Sequence, residues 1–385
     1  MRSHSHLNTA LSIIRQYDGR IPLAAWLKQF FRTGKKFGSS DRRSIGHAVY
    51  CYYRLGRSFS HLDEEQKLLT GVFLCSQAPV RMIDELKPEW RDSISLDMAD
   101  KLQMMGASVE GERIFPFPEH LSADIEAGAF SASFLVQPDV FLRIRPGRRK
   151  AVLHQLRQAD IPFMEEGEEA LRLHSQAKVE EVLAINEEVV VQDINSQAVL
   201  DPVFEVLRKA PASAWDCCAA SGGKSMLLHD RFPQTKLTVS DVRESILVNL
   251  EKRFRQAGIS NYTSFIADLT LPHFVPGKFY ELILCDAPCS GSGTWGRTPE
   301  QLHFFKEEQI AHYVRLQRSI AEQALKALAP GGWFLYSTCS VFREENEENL
   351  AHFTSQLPLR LHRSEYKKGY RHKADTLFTA LFQRL

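Results

Sequence analysis

The sequence lacks several features that define broad classes of protein. No apolar run approaches the roughly 20 residues that a membrane-spanning helix needs. Residues 1–6 lack the apolar core of a signal peptide, so a cytoplasmic protein is expected. The chain has seven cysteines, and an odd number in 385 residues does not suggest a disulfide framework. Paired CxxC spacing is also absent, so a structural zinc site is not expected.

Length and composition allow a globular protein of two or three domains. The hydrophobic fraction of 44% is enough for sizeable cores, and the net charge is only +1. This small net charge conceals a local excess of basic residues between positions 28 and 57. They are Lys28, Arg32, Lys35, Lys36, Arg42, Arg43, Arg54 and Arg57, against Asp41 alone. The cluster is either a surface for phosphates or a solvated helix face, and composition leaves both readings open.

Residues 1–120 are predicted to form a helical N-terminal region. Ile21-Pro22-Leu23 opens an amphipathic stretch that continues to Phe31, with proline near the first turn. A second helix is predicted over residues 42–55, with Ser40 or Asp41 as its N-cap.

Residues 121–195 are predicted to form a small α+β domain. Strands are expected at 140–145, 171–173 and 189–192, and a helix at 149–158. A second basic cluster lies here and consists of Arg143, Arg145, Arg148, Arg149 and Lys150. Two basic clusters on a chain of near-zero net charge favour a nucleic-acid partner.

Residues 196–385 show a clear alternation of strands and helices. Strands are predicted at 214–218, 236–240, 263–267, 280–285 and 333–338. Helices are predicted at 225–231, 244–257, 307–329 and 344–355, with residues 329–332 ending the third of them. Such alternation indicates a doubly wound, mainly parallel α/β sheet.

Acidic residues stand at the ends of four of these predicted strands, namely Asp216, Asp241, Asp268 and Asp286. In such a sheet, ligands bind at the carboxyl ends of the strands, and an acid after the second strand is placed to bind ribose hydroxyls. Residues 219–224 follow the first strand and open a helix, although they match neither a Walker A loop nor a GxGxxG loop. A tight turn would explain the two glycines equally well. Together with the acids, however, they indicate a cofactor that contains a nucleoside.

Two cysteines follow predicted strands in the same domain. Cys289 lies just beyond the fourth strand and close to Asp286, and Cys339 lies just beyond the fifth. Thiols at ligand-binding strand ends suggest nucleophilic catalysis. Residue types alone do not decide which thiol attacks. Four other cysteines, Cys51, Cys75, Cys217 and Cys285, are expected to be packed in cores.

Three motifs resemble those of the RNA (cytosine-5) methyltransferases, the family of the bacterial Fmu/Sun/RsmB rRNA enzymes and the eukaryotic Nop2-like proteins. They are Cys218-Ala219-Ala220-Ser221-Gly222-Gly223-Lys224, Asp286-Ala287-Pro288-Cys289-Ser290-Gly291 and Ser337-Thr338-Cys339-Ser340. The resemblance covers the C-terminal domain and includes Glu345-Asn346-Glu347. It extends upstream to residues 192–197, and residues 141–144 are similar to the first strand of the family's small RRM-like domain.

The resemblance implies a Rossmann-like methyltransferase core with S-adenosylmethionine as its cofactor. It assigns the methionine end to residues 218–224, the ribose hydroxyls to Asp241 and the adenine to Asp268. Asp286 would lie between the cofactor and the base, Cys339 would be the nucleophile, and Cys289 would assist product release. The chain departs from the family at Ser221, where proline is usual, and at Arg145, where many members have asparagine.

The resemblance also implies RNA as the partner, with ribosomal RNA ahead of tRNA as the substrate. A monomer is expected, with no metal and no membrane partner. Two alternatives remain open, an amino-group methyltransferase, which needs no thiol, and an RNA-binding ribosome-assembly factor whose methylation is dispensable.

Overall fold

The computed structural model describes residues 2–34, 37–108, 113–175, 177–272 and 277–385. Lys35 and Lys36 of the first basic cluster lie outside these residues. The chain divides into two compact units. The first comprises Met1–Leu121, Ile125–Gln137 and Thr294–Glu307, and the second comprises Ser122–Asp124, Pro138–Gly293 and Glu308–Leu385. The three-domain division at residues 120 and 195 stays a prediction.

The described residues form the following regular elements. The α-helices are α1 (Arg2–Gln16), α2 (Leu23–Thr33), α3 (Ser39–Arg54), α4 (Glu64–Cys75), α5 (Arg81–Leu86), α6 (Met98–Met104), α7 (Ala127–Ser133), α8 (Arg149–Gln158), α9 (Ile194–Gln197), α10 (Asp201–Val206), α11 (Gly223–Arg231), α12 (Glu244–Gln256), α13 (Gln301–Phe304), α14 (Glu308–Leu325) and α15 (Glu347–Gln356). The strands are β1 (Val140–Ile144), β2 (Phe163–Glu165), β3 (Ala170–Leu173), β4 (Val189–Val191), β5 (Ser213–Asp216), β6 (Lys236–Asp241), β7 (Tyr262–Ile266), β8 (Tyr280–Asp286), β9 (Leu328–Thr338), β10 (Leu359–Lys368) and β11 (Thr376–Arg384).

The first unit is helical, as predicted. Helix α2 begins directly after Pro22, whose fixed backbone angle suits a helix start. The predicted cap of α3 is wrong, because the helix begins earlier and its N-cap is Gly38. Asp41 lies in the first turn instead, where its carboxylate accepts a hydrogen bond of 3.1 Å from the backbone N–H of Gly38.

The second unit begins with a small antiparallel sheet in the order β2-β3-β1-β4. Helix α8 packs on one face, where Leu142, Val152 and Leu171 are buried together. The sequence missed β2, an edge strand of three residues that is largely exposed. A 3-10 turn, Val179–Glu181, stands between β3 and β4. The β-α-β-β-turn-β order agrees with the predicted RRM-like α+β fold.

The large sheet has the order β10-β11-β9-β8-β5-β6-β7. Five neighbouring strands, β9, β8, β5, β6 and β7, are parallel to one another. The hairpin of β10 and β11 pairs antiparallel with β9 and forms one edge of the sheet. One face is buried under α14 and α15, with Trp215 in its core, and the other under α10, α11 and α12, with Leu282 in its core. The prediction of a Rossmann-like α/β fold is confirmed.

Two predictions about the end of the chain need correction. The long helix α14 ends at Leu325, and residues 329–332 lie within β9 rather than at a helix end. Gly331 has a φ of 71°, so the irregular start of this strand relies on glycine. The hairpin of β10 and β11 was not predicted. No helix in the described part of the chain is long and apolar enough to cross a membrane.

Candidate active site

The carboxyl ends of the parallel strands surround a cavity of about 460 Å³. Its lining includes Asp241, Asp268, Asp286, Cys289 and Cys339. Because parallel strands end at the same edge of a sheet, side chains more than 90 residues apart along the chain meet here. The cavity therefore brings together the residues that the sequence singled out after different strands.

The two thiols of the cavity are in direct contact, with 3.3 Å between the Sγ atoms of Cys289 and Cys339. Their closeness follows from strand pairing, since Asp286 on β8 lies opposite Ser337 on β9. The hydrogen bond to Cys339 and burial raise the pKa of Cys289 well above its ordinary value. Cys289 is therefore held in the thiol form, and in this contact either sulfur can be the donor.

A buried carboxylate connects the two loops that carry these thiols. Glu345 accepts hydrogen bonds from the backbone N–H of Ser290 at 3.0 Å, the hydroxyl of Ser340 at 2.6 Å and the amide of Gln317 at 2.7 Å. Burial is the main cause that raises the pKa of Glu345. Ser290 and Ser340 each follow one of the cysteines directly, so Glu345 holds both loops. The sequence marked Glu345 only by resemblance, and Gln317 carried no signal.

Beside the thiols, Asp286 forms an ion pair with Lys224, with 2.7 Å between Oδ2 and Nζ. Its other oxygen accepts a hydrogen bond of 2.9 Å from the hydroxyl of Ser337. Burial lowers the pKa of Lys224, but attraction to Asp286 and the hydrogen bond to it outweigh burial and raise the pKa overall. Lys224 is therefore charged and holds the carboxylate at the cavity wall.

The glycine turn between β5 and α11 packs closely against its surroundings. Gly222 has a φ of 80°, and a Cβ atom there would lie 2.7 Å from the ring of Phe254. Ser221 accepts hydrogen bonds from Arg253 at both its carbonyl and hydroxyl oxygens. A proline at position 221 would restrict the backbone of this turn covalently. In this chain, the two hydrogen bonds from Arg253 hold the turn at Ser221 instead. The sequence did not single out Arg253, which lies 32 residues further on.

Asp241 lies at the end of β6 and is buried, with four hydrogen-bond donors around its carboxylate. Two are backbone N–H groups, those of Ala220 at 3.1 Å and Arg243 at 3.0 Å. The other two come from the guanidinium of Arg243. Burial would raise the pKa of Asp241, but these hydrogen bonds outweigh it and lower the pKa. The Arg243 side chain is 59% exposed, so it is free of packing that would hold it in place.

The other two strand-end acids differ in their surroundings. Asp268 lines the cavity and accepts hydrogen bonds from the backbone and hydroxyl of Thr270 at 2.9 and 2.6 Å. Asp216 is only 1% exposed and accepts a hydrogen bond of 2.5 Å from the hydroxyl of Ser225. Asp216 thus contacts the first turn of α11 and does not line the cavity.

Several residues of the two basic clusters have structural partners. Arg143 is 2% exposed, and it shares the carboxylate of Asp230 with Arg145 at 2.5 and 2.6 Å. In the first unit, Arg54 is equally buried and donates to the backbone oxygen of Phe134 at 2.8 Å. These guanidinium groups hold the fold together, so the expectation that both clusters as a whole guide an RNA backbone does not extend to them.

Residues 206–378 match the family model described as 16S rRNA methyltransferase RsmB/F. The "Ribosomal RNA small subunit methyltransferase B" of Xylella fastidiosa strain 9a5c is 31% identical over 248 residues, which are 62% of this chain and 58% of that protein. The protein of the same name from strain Temecula1 is 32% identical over 234 residues, 59% of this chain and 53% of that protein. The chain thus spans little more than half the length of these curated relatives.

Solved structures share the fold. The structure titled "Crystal Structure of PH0851" matches with a TM-score of 0.70 and 20% identity over 93% of both chains. NSun6 from Pyrococcus horikoshii, solved with SFG, matches with a TM-score of 0.60 and 15% identity over 70% of this chain and 97% of its own. The motifs, the fold and the family match agree, and residues 206–378 of this chain are similar to the RsmB/F methyltransferase family.

Proposed function

We propose that the chain is an S-adenosylmethionine-dependent RNA methyltransferase that forms 5-methylcytosine, with ribosomal RNA as its substrate. The observation that carries this proposal is the contact of 3.3 Å between the thiols of Cys289 and Cys339, beside the ion pair of Asp286 and Lys224. Methylation of an exocyclic amine needs no thiol. The thiol pair therefore favours carbon 5 of cytosine over an amino group as the acceptor.

The cavity has the size and the polar groups that the cofactor requires. Its volume of about 460 Å³ lies in the usual range for small-molecule sites. The methionine end would be held by Cys218, Ala219, Ala220, Ser221, Gly222, Gly223 and Lys224. Asp241 would accept the ribose hydroxyls after Arg243 turns away from it, and Asp268 would lie near the adenine. When bound, the cofactor would supply an electrophilic methyl group beside Asp286.

Cys339 is the proposed nucleophile. Carbon 5 of cytosine is a weak nucleophile until a thiolate adds to carbon 6. The sulfur of Cys339 would form this bond, and the electron pair displaced from the double bond would then make carbon 5 reactive toward the methyl group. The raised pKa of Cys289 disfavours this residue as the attacking thiolate, because a protonated thiol is a poor nucleophile, and the choice of Cys339 rests on the family resemblance.

Cys289 and Asp286 have complementary roles in this proposal. Asp286 would contact ring nitrogen 3 and stabilise the charge that develops there when the thiolate adds. After methyl transfer, the proton on carbon 5 leaves to a base and the bond between carbon 6 and sulfur breaks. The S–H of Cys289, in contact with the sulfur of Cys339, is placed to protonate that departing thiolate.

The substrate assignment rests on the curated relatives, which are named as methyltransferases of small-subunit ribosomal RNA. The match covers little more than half of these relatives, so ribosomal RNA as the target of this chain is part of the proposal. Action in the cytoplasm is proposed as well. A thiol must reach carbon 6 on the face of the ring, and a stacked base does not allow this. The target cytosine would therefore be single-stranded or flipped out of its helix.

The test is transfer of labelled methyl groups from S-adenosylmethionine to ribosomal RNA from cells that lack this enzyme, followed by identification of the labelled nucleoside. The expected product is 5-methylcytosine, and Cys339→Ala should abolish it. Cys51→Ala is the matched control, because Cys51 is a buried cysteine of the first unit. Label on an exocyclic amine, or full activity of Cys339→Ala, would instead support the amino-group methyltransferase.

A further inference from the structure

Three more cysteines meet where β5 and β8 end. The Sγ atoms of Cys217, Cys218 and Cys285 all lie within 4.8 Å of one another. Strand register explains this, because Asp216 pairs with Leu284 and the next residues, Cys217 and Cys285, continue the two strands side by side. The backbone N–H of Cys217 donates to Leu284 at 2.9 Å, which fixes this register at the thiols.

We propose that these three thiols form a binding site for a thiophilic metal ion of the Zn²⁺ class, with one coordination position open toward the cavity. The proposal shares Cys218 and the cavity with the proposed cofactor site, but it does not depend on the proposed reaction, because it rests only on the arrangement of the sulfur atoms and their access. Soft thiolate ligands select ions of this class over harder ions such as Mg²⁺.

The sulfur geometry suits one shared ion. Zinc–sulfur bonds are about 2.3 Å long, so three sulfurs around one ion lie about 4 Å apart. Since the three Sγ atoms are already within 4.8 Å of one another, side-chain adjustments of less than about 1 Å would complete the site. On binding, three S–H groups lose their protons and three metal–sulfur bonds form, with no change of oxidation state.

Access and charge also favour a cation. Cys217 and Cys218 line the cavity, which gives an ion a path to the buried Cys285. Among the described residues, the Oδ1 atom of Asp216 is buried without a hydrogen-bond partner, one residue from Cys217. Zinc sites with three protein ligands keep their fourth position open, and here it would face the cavity.

Buried cysteines often serve only as small apolar side chains. Packing alone does not require three thiols at one point. A bound ion would also fix Cys217 and Cys218, the first two residues of the turn between β5 and α11. The site thus lies where metal binding changes the shape of the cavity.

The experiment uses the full chain with Cys289→Ala and Cys339→Ala, because this background lacks the thiol pair that lines the same cavity. Cd²⁺ is the probe, titrated without oxygen while the sulfur-to-cadmium charge-transfer absorption is recorded. We expect saturation at one ion per chain, with the intensity of three thiolate bonds. Adding Cys285→Ala should raise the dissociation constant for Cd²⁺ by about 10–100-fold or more. Loss of a residue that only supports a metal ligand already weakens binding by about this factor, and here a ligand itself is lost. Adding Cys51→Ala should change nothing.

Cys285→Val serves as a second variant, because valine fills the space of the thiol and suits a strand. Circular dichroism identifies which of the two variants is folded, and that variant is used. An absorption that fails to saturate at one equivalent would overturn the proposal. Binding that survives loss of Cys285, or that is lost with Cys51→Ala, would place the ion elsewhere and overturn it as well.

Discussion

Replacing Glu345 by alanine tests whether the buried carboxylate positions the two thiols. Alanine would leave three donors without their acceptor, namely the N–H of Ser290, the hydroxyl of Ser340 and the amide of Gln317. At about 1 kcal/mol or more for each buried donor, the free energy of unfolding should fall by roughly 3 kcal/mol. Both cysteine loops would also lose the carboxylate that holds them. We therefore expect kcat to fall on the order of 100-fold, because a shift of about 1 Å in a reacting group lowers the rate by about that factor.

Glu345→Gln is the matched control. The amide oxygen can still accept from Ser290 and Gln317, and the new NH₂ group can donate to the hydroxyl of Ser340. This variant should lose about 1 kcal/mol and keep most of its activity. Urea unfolding and methyl transfer at saturating cofactor are the two measurements. Full kcat in Glu345→Ala would refute the positioning role, and equal loss in both variants would show that the carboxylate acts in some other way.

The pH dependence of stability gives a further check on this pair. Burial raises the pKa of Glu345 above its ordinary value of 4.5. The folded protein therefore holds this proton more tightly than the unfolded chain does. The stability of the wild type relative to Glu345→Gln should be greatest below pH 4.5 and should decline as the pH rises through the folded-state pKa. Urea unfolding of both proteins across this range measures the difference, and a relative stability that rises with pH would contradict the buried environment.

Two further pairs of substitutions test the fold around the site by urea unfolding. Gly222→Ala should lose about 2–3 kcal/mol, because its positive φ is combined with a Cβ contact of 2.7 Å to Phe254, whereas Gly258→Ala, with a positive φ and no close neighbour, should lose about 1 kcal/mol. Equal losses would rule out the contact as a cause. Asp230→Ala should lose about 3–5 kcal/mol, because the buried guanidinium groups of Arg143 and Arg145 would lose the carboxylate that balances their charge. Arg148→Ala, which breaks an exposed ion pair with Glu187, should lose less than about 1 kcal/mol. A small loss of unfolding free energy in Asp230→Ala would show that Arg143 and Arg145 do not depend on this ion pair, and that they are available for contacts with RNA.

The central strands of the parallel sheet, such as β8, could be predicted because they are buried on both faces and appear as short apolar runs. The C-terminal hairpin could not be predicted in the same way. Strand β10, Leu359–Lys368, is an edge strand with mostly polar and exposed residues, so it lacks an apolar run. Helix α14 was predicted too long because the apolar spacing of residues 324–328 fits either a helix end or the start of β9, and only pairing with β8 decides between them.

The strand-end positions of the candidate site could also be predicted, since the α/β pattern brings the ends of parallel strands together. What the sequence could not supply are partners far apart in the chain. Arg143 and Asp230 are 87 residues apart, so counting basic residues near Arg143 overstated the charge available to RNA. The support of Ser221 by Arg253 likewise depends on how α12 packs. The roles of the two thiols remain predictions that rest on the family resemblance and on the contact between their sulfur atoms.

Trapping of the covalent intermediate tests the two-thiol mechanism most directly. Cys289→Ala, Cys339→Ala and the double variant would be incubated with S-adenosylmethionine and unmodified ribosomal RNA, denatured, and examined by gel and by mass spectrometry of the crosslinked peptide. The account predicts that Cys289→Ala accumulates a protein–RNA adduct through Cys339 and that neither variant lacking Cys339 forms one. An adduct through Cys289 in the Cys339→Ala protein, or none in Cys289→Ala despite methyl transfer, would contradict it.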